Sequence, residues 1–341
     1  LVYVQLATAD SGQAVLDLVA GDSDISMWIP EDDVWAEILA DQGVEGFQNG
    51  CTSVAESPLV IGMWRPVAES LGWPGLPLGW LDIGSLAADP SAWSYYSGGE
   101  FGDSLRMSHA HPGLSGAGTG TLLAIVQAAQ SKTDAVSPED ISQPIVQASV
   151  GAFESAVSSF NIDSEDLGKT MVDRGPEYLG AGVMYESTVV QHGDGRLVAI
   201  YLLEGTFMAT HPACINQATG EETIEAASIF REYLLSEAGQ EQALSTGLRP
   251  VNPAVAIGPP LDEAHGVDPT QPEIVFQSPS VDAVYAVQEL WQAARKPVNL
   301  VMLLDTSGSM RGSKIEGMQD AAEQFIQHMG DEDTISLIEF Y

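Results

Sequence analysis

The sequence predicts an α/β protein built in two successive parts. Three observations carry that expectation. Short apolar strands alternate with amphipathic helices from the first residues onward. Midway along the chain a glycine- and hydroxyl-rich stretch, HPGLSGAGTG, feeds an apolar helix. Near the end an apolar run, NLVMLL, drives into DTSGSM, and a helical pattern and a second apolar run follow.

The elements follow in order. Val2 to Ala7 is expected to be a strand, and a helix begins near Ser11 and stops at Gly21. ISMWI is a second strand ending at Pro30. EDDVWAEILADQ is a helix with Val34, Ile38 and Leu39 on one face. SPLVIGMW (57–64) is a short apolar strand that enters a region rich in Gly, Pro and Trp. Helices are expected over 138–160 and 163–174, then several strands, with GDG at 193–195 as a tight hairpin turn. ETIEAASIFREYLLSEAGQEQAL is one long amphipathic helix. The Pro- and Gly-rich 249–272 is a surface connection, and 281–296 is a helix. Val298 to Leu304 has the unbroken apolar character of a strand buried on both faces. KIEGMQDAAEQFIQHM sets Ile315, Met318, Ala322, Phe325 and Met329 at helical spacing, and DTISLIEFY closes a βαβ unit.

Composition narrows the partners. The 48 acids outnumber the 12 bases for a formal net charge of -36, which repels nucleic acid and anionic membranes. The acids are spread along the chain, as in a solubility adaptation, and form no single patch. No uncharged apolar run reaches the roughly 18 to 20 residues that a membrane span needs. LVYVQLATADSG has no basic start and no signal-peptide pattern, so the chain is expected to have lost its native N-terminus. Cys51 and Cys214 are compatible with one disulfide or with two buried thiols. His109, His111, His192, His211, His265 and His328 form no spacing typical of a metal site.

The glycine loop misses three enzymatic motifs by one element each. Gly113 and Gly118 have the spacing of a phosphate-binding loop, but Thr119 stands in place of its lysine. Gly116, Gly118 and Gly120 have the wrong last interval for a dinucleotide fingerprint. Gly113-Leu114-Ser115-Gly116-Ala117 lacks the final glycine of a nucleophile elbow. What remains is a set of hydroxyls and free N–H groups at a helix N-terminus. That can seat an anion or polar oxygens, or be no more than an N-cap.

The succession GDSDISMWIP, SVAESPLVIGMW, HPGLSGAGTGTLLAIVQAA, YESTVV, IYLLEGTFMATHP and QALSTGLRPVNP resembles the type II periplasmic (extracellular) solute-binding proteins, near the molybdate/sulfate group. The resemblance spans about 1–255. It implies two α/β lobes joined by crossing strands, with ligand between them. SPLVIGMW and EGTFMATH would be the crossings, lobe one about 1–58 plus 210–255, and lobe two about 64–204, with the family's first strand missing. The ligand positions it implies are Thr52, Ser53, Ser115, Gly116 and Thr119, then Tyr185, Glu186 and Thr206. Tyr185 is equally compatible with a core aromatic. Glu186 would oppose an anion and leaves room for a neutral or cationic solute.

Asp305, Ser307 and Ser309 alternate along one turn, and a carboxylate with two hydroxyls suits Mg²⁺, Mn²⁺ or Ca²⁺. DTSGSM is neither the aspartic-protease DTG nor a DxD phosphatase motif. Segment 298–341 is similar to the first βαβ of a Rossmann-like von Willebrand factor A domain, whose metal-ion-dependent adhesion site opens with D-x-S-x-S. Residues 256–297 would then be a linker and connecting helix. The resemblances imply an extracellular or cell-surface binding protein, membrane-anchored at full length. It would capture a small solute, such as an oxyanion, and meet a protein partner through a metal site, without catalysis. Two other readings stay open: a serine hydrolase using Ser115 with His111, and a structural surface protein with a vestigial cleft.

Overall fold

The computed structural model describes residues 2–21, 25–297, 299–327, 329 and 333–341. These form two compact units, 1–291 and 292–341.

The first unit opens with α1 (Ser11–Ala20), β1 (Met27–Trp28), α2 (Val34–Asp41), β2 (Ser57–Trp64), α3 (Arg65–Ser70), α4 (Trp80–Ala88) and α5 (Pro90–Ser97). It continues with β3 (Met107–Ala110), α6 (Gly116–Gln130), α7 (Pro138–Ile141), α8 (Pro144–Ala156), β4 (Val157–Asn161) and α9 (Ser164–Arg174). Then come β5 (Ala181–Tyr185), α10 (Glu186–Gly193), β6 (Leu197–Ile200), β7 (Met208–Ala209), β8 (Cys214–Ile215), α11 (Glu221–Leu235), α12 (Glu237–Ser245) and α13 (Val281–Ala294). The main sheet runs β4-β3-β5-β2-β6, with β7 also on β2, and β1 and β8 form a separate ribbon.

All eight residues of β2 are buried. Its start pairs with β7 (Ser57 with Ala209), and its later residues pair with β5 and β6. α6 contributes an almost continuous buried face from Gly116 to Ala128. Gly118 lets α6 lie against β3, because a Cβ there would sit 2.3 Å from the Ala110 carbonyl oxygen. Gly12 does the same for α1, where a Cβ would come 2.6 Å from the Gly113 oxygen.

Several expectations are corrected. Residues 2–10 form no strand; Tyr3 and Leu6 are exposed, and nothing pairs with them among the described residues. GDG is not a hairpin turn. Val189 and Val190 are buried on α10, and Asp194 caps that helix in the left-handed region (φ 47°). The long helix after Gly220 breaks at Ser236, whose hydroxyl accepts from Gly239 N and starts α12. The helix expected over 138–160 divides into α7 and α8, and its last residues form β4. Segment 249–272 is more than a surface connection: Leu261 and Val267 are buried, and Ala199 N donates to the Gly266 oxygen at 2.8 Å. Ala283, Val284, Val287 and Trp291 of α13 are buried as well. The cysteine pairing left open by the sequence is resolved, because Cys51 and Cys214 form a disulfide.

The second unit contains β9 (Asn299–Asp305), α14 (Ser313–Gln327) and β10 (Thr334–Phe340), with the two strands parallel. β9 is not buried on both faces; Val301 is 58% and Leu303 64% exposed. A single parallel pair with one helix has too little surface to cover both sides. Val298, His328 and the side chain of Phe325 lie outside the described residues.

Candidate functional site

A small cavity of about 40 Å³ opens where the start of β2 meets the N-terminus of α6. Its walls include Glu31, Asp32, Leu59, Gly116, Thr119 and Tyr185. Asp10 stands beside it. One oxygen of its carboxylate accepts from Ser11 N at 2.8 Å and from Gly116 N at 3.2 Å, so one side chain caps α1 and α6 together. Both helix dipoles favour that negative charge.

Glu31 reaches the same helix end, where a Cβ on Gly116 would be 2.8 Å from its carboxyl carbon. Burial raises the Glu31 carboxyl well above its ordinary 4.5, and the charge of Asp10 and a hydrogen bond with it add to the shift. Glu31 therefore keeps its proton to higher pH than a free carboxyl does. Asp32 is raised from 3.8 to about 6, chiefly by burial, and Tyr185 is pushed well above 10 by burial and then by Glu31, Asp10 and Asp32. Burial alone lowers His211 from 6.5 to about 4.

Three buried polar atoms in this region have no hydrogen-bond partner among the described residues: Glu31 Oε2, Ser115 Oγ and His211 Nε2. Ser115 occupies the N-cap position of α6, yet its hydroxyl caps nothing. A larger cavity of about 600 Å³ lies beside β6, lined by Trp73, Leu76, Tyr201, Asp268, Glu273 and Ile274 among others. None of the unpartnered buried atoms belongs to its walls. Buried polar groups are normally paired, so the small cavity carries the stronger sign of a ligand seat.

The residues expected from the sequence divide into two sets. Gly116, Thr119 and Tyr185 line the small cavity, and Ser115 adjoins it. Thr119 donates to the Pro112 carbonyl, and the Tyr185 backbone N–H donates to the Ser164 hydroxyl at 3.0 Å. The other four lie outside the cavity wall. Thr52 is exposed and pairs its backbone with Ala213, while the Ser53 hydroxyl donates to the Thr210 carbonyl at 2.7 Å. The Thr206 hydroxyl donates to Leu59 O at 2.6 Å. Arg249 grips both oxygens of Glu186 at 2.8 and 2.6 Å, and Tyr201 donates to it too. The sequence reading missed Asp10, Glu31 and Asp32. The run Pro30-Glu31-Asp32-Asp33 ahead of α2 was the available signal.

A sequence model for the bacterial extracellular solute-binding proteins matches residues 2–249. The chain belongs to that family. No curated protein matches it by sequence. Among solved structures, a periplasmic thiamin-binding protein is 13% identical, covering 85% of this chain and 86% of its own, with a TM-score of 0.62. AfuA from Actinobacillus pleuropneumoniae, with fructose-6-phosphate bound, is 14% identical, covering 84% and 86%, at 0.57. Iron-bound HitA from Pseudomonas aeruginosa is 15% identical, covering 83% and 88%, at 0.56. At these identities the likeness establishes the two-lobed α/β fold and leaves the cargo undetermined.

The hydrolase alternative is not favoured for this solute-binding protein. The Ser115 hydroxyl makes no hydrogen bond, and His111 Nδ1 accepts from Gly113 N at 3.1 Å. A nucleophile needs its base within reach. The disulfide accords with the family's extracellular setting. Among the described residues no helix is long and apolar enough to cross a membrane.

In the second unit, Asp305 accepts from Ser307 N at 2.8 Å, and the Ser307 and Ser309 hydroxyls are 2.9 Å apart. Hydrogen bonding by the Ser307 side chain, and then by Ser307 N, lowers the Asp305 carboxyl below 3.8. Among the described residues no group of three His, Cys, Asp or Glu could hold a metal ion.

Proposed function

We propose that the solute is held between the two lobes, at the small cavity beside the N-terminus of α6. Its contacts are Asp10, Glu31, Ser115, Gly116, Thr119 and Tyr185. Thr52, Ser53, Glu186 and Thr206 serve the frame around it. The observation that carries this reading is Glu31 on the cavity wall, with a buried Oε2 that has no hydrogen-bond partner, and the equally unpartnered Ser115 hydroxyl next to the wall residue Gly116. Thermal melting against a panel of ammonium compounds, oxyanions and sugars tests it. A bound solute at 100 times its dissociation constant adds about 2.7 kcal/mol of stability. If no class of solute moves the melting temperature, the reading fails.

A second reading concerns the second unit. Asp305, Ser307 and Ser309 supply three hard oxygens on one turn after a strand, and their closeness supports a Mg²⁺ seat of the adhesion-site kind. Mn²⁺ or Ca²⁺ could take the same oxygens. In that reading the unit meets a protein partner through the metal. A single carboxylate holds such an ion weakly, so Mg²⁺ titration should give millimolar affinity that Asp305→Ala abolishes. Unchanged Mg²⁺ affinity in that variant would remove the metal from Asp305.

A further inference from the structure

The entrance to α6 differs from an anion seat in one respect. The N–H of Gly116, which would greet an oxyanion, already donates to the chain's own Asp10. Glu31 and Asp32 stand on the same wall, and no lysine or arginine lines the cavity. An incoming oxyanion would have to displace Asp10 and then lie against two further carboxyls. What the cavity offers in surplus is acceptors. Glu31 Oε2 and Ser115 Oγ are buried without partners, Ser115 is 0% exposed, and Tyr185 adds its hydroxyl to the wall.

The volume of the cavity suits a small group. A volume of about 40 Å³ takes a group of one or two heavy atoms, since one water needs about 10–15 Å³. Among the described residues no three His, Cys, Asp or Glu converge as a metal set.

We propose that the solute of this cleft carries a small N–H-bearing ammonium group, which donates to the buried acceptors where Asp10 and Glu31 meet the N-terminus of α6 and displaces a proton from there. This rests on the reading of the cleft as the solute site. The exchange balances simply. The Glu31 carboxylic acid gives its proton to bulk water, and the ammonium group donates its N–H bonds to the two carboxylates. Charge within the cavity is therefore unchanged, which avoids burying a new net charge. The groups facing the exchange from every packed element are Asp10 before α1, Glu31 and Asp32 before α2, Tyr185 at the end of β5, His211 after β7, and Asp163 before α9. Asp163 feels the charge of Asp10 as well. Glu31 is raised by burial and then by Asp10, and Asp32 is raised too, chiefly by burial.

The test is calorimetry on the whole chain with methylammonium, tetramethylammonium, sulfate and molybdate. Each is run in two buffers of different ionisation enthalpy. Methylammonium should bind with release of about one proton. Its affinity should rise about tenfold per pH unit below the raised pKa of Glu31, in line with proton linkage. Tetramethylammonium, which has no N–H to donate, should bind at least about tenfold more weakly. Glu31→Gln should abolish the proton release. Should that variant fail to fold, the buffer dependence of the unaltered chain still decides the matter. Binding of sulfate or molybdate in place of methylammonium overturns the ammonium assignment and leaves solute binding standing. Methylammonium binding without proton release overturns the exchange. Absence of binding by all four probes overturns the ammonium assignment, while the cleft itself falls only if the wider solute panel is silent too.

Discussion

Replacing Arg249 by Met tests the strongest polar contact in the frame of the cleft. Its guanidinium holds Glu186 through two hydrogen bonds of 2.8 and 2.6 Å, and the two side chains are 8% and 0% exposed. With Arg249 gone, Glu186 keeps only the Tyr201 hydroxyl, and a carboxylate with no exposed surface is left unpaired. Breaking a buried pair in this way costs about 3–5 kcal/mol. For a first unit of this size the unfolding entropy, at about 2.1 cal/mol/K per residue, is roughly 0.6 kcal/mol/K. The melting temperature should therefore fall by about 5–8 °C. Glu186→Leu combined with Arg249→Met should recover most of the loss, since an apolar pair of similar volume replaces a buried ion pair at little cost. Urea unfolding followed by tryptophan fluorescence measures both variants. A loss below about 1 kcal/mol for Arg249→Met, or no recovery in the double variant, would refute the assignment of Glu186 as a buried, charged partner.

Other outcomes follow from single groups. Cys51→Ser opens a loop of 163 residues, for which chain entropy gives a loss of up to about 5 kcal/mol, with 2–4 typical; reduction of the unaltered chain should match it in a melting experiment. Asp32 is raised from 3.8 to about 6, so its contribution to stability is fully present below 3.8 and is lost as pH rises through about 6. Asp32→Asn should remove that slope from a pH series of melting temperatures. His211, lowered from 6.5 to about 4, acts with the opposite sign, and its contribution is lost as pH falls from 6.5 through 4. His211→Phe should flatten the acid side of the same series.

The elements that could be read from the sequence are those whose local pattern and tertiary setting agree. SPLVIGMW has no polar break after Ser57, and all of it is buried as β2. The apolar stretch after HPGLSGAGTG is α6, and the glycines are there for close approach: Gly118 to β3 and Gly116 to Glu31. The VVQ run misleads because its β-branched residues favour a strand, whereas burial of Thr188, Val189 and Val190 on one helix decides for α10. The long helix misleads because Ser236 is an unremarkable residue in a helical pattern until its hydroxyl finds Gly239 N. The central part of the site was out of reach for another reason. Asp10 and Gly116 meet across 106 positions, and Ser115 has the right residue type for a cap that Asp10 supplies instead. Residue type marked the helix end as polar. Only the fold shows that its donors are already taken and that acceptors are in excess.

That inversion bears on how the proposed site works, because the segments on either side of the cavity are already joined. Gln13 N donates to Leu114 O at 3.0 Å, and Asp10 accepts from Gly116. α13 adds fasteners from beyond the family match, which ends at residue 249. The Tyr285 hydroxyl donates to Asp41 of α2 at 3.0 Å, and the Gln288 amide donates to the Pro112 carbonyl ahead of α6 at 3.0 Å. Val284 lines the cavity between those two contacts. Parting α1 and α2 from the entrance of α6 would break the direct pair and at least one fastener of α13, at roughly 0.5–1.5 kcal/mol each. A solute that binds the closed form meets walls already in place, so its affinity is set by the acceptors it satisfies and not by the cost of closing. The fasteners act instead on entry and exit together, slowing both by the population of the open form. On the reading proposed for this cavity, the expected consequence is slow release of the solute.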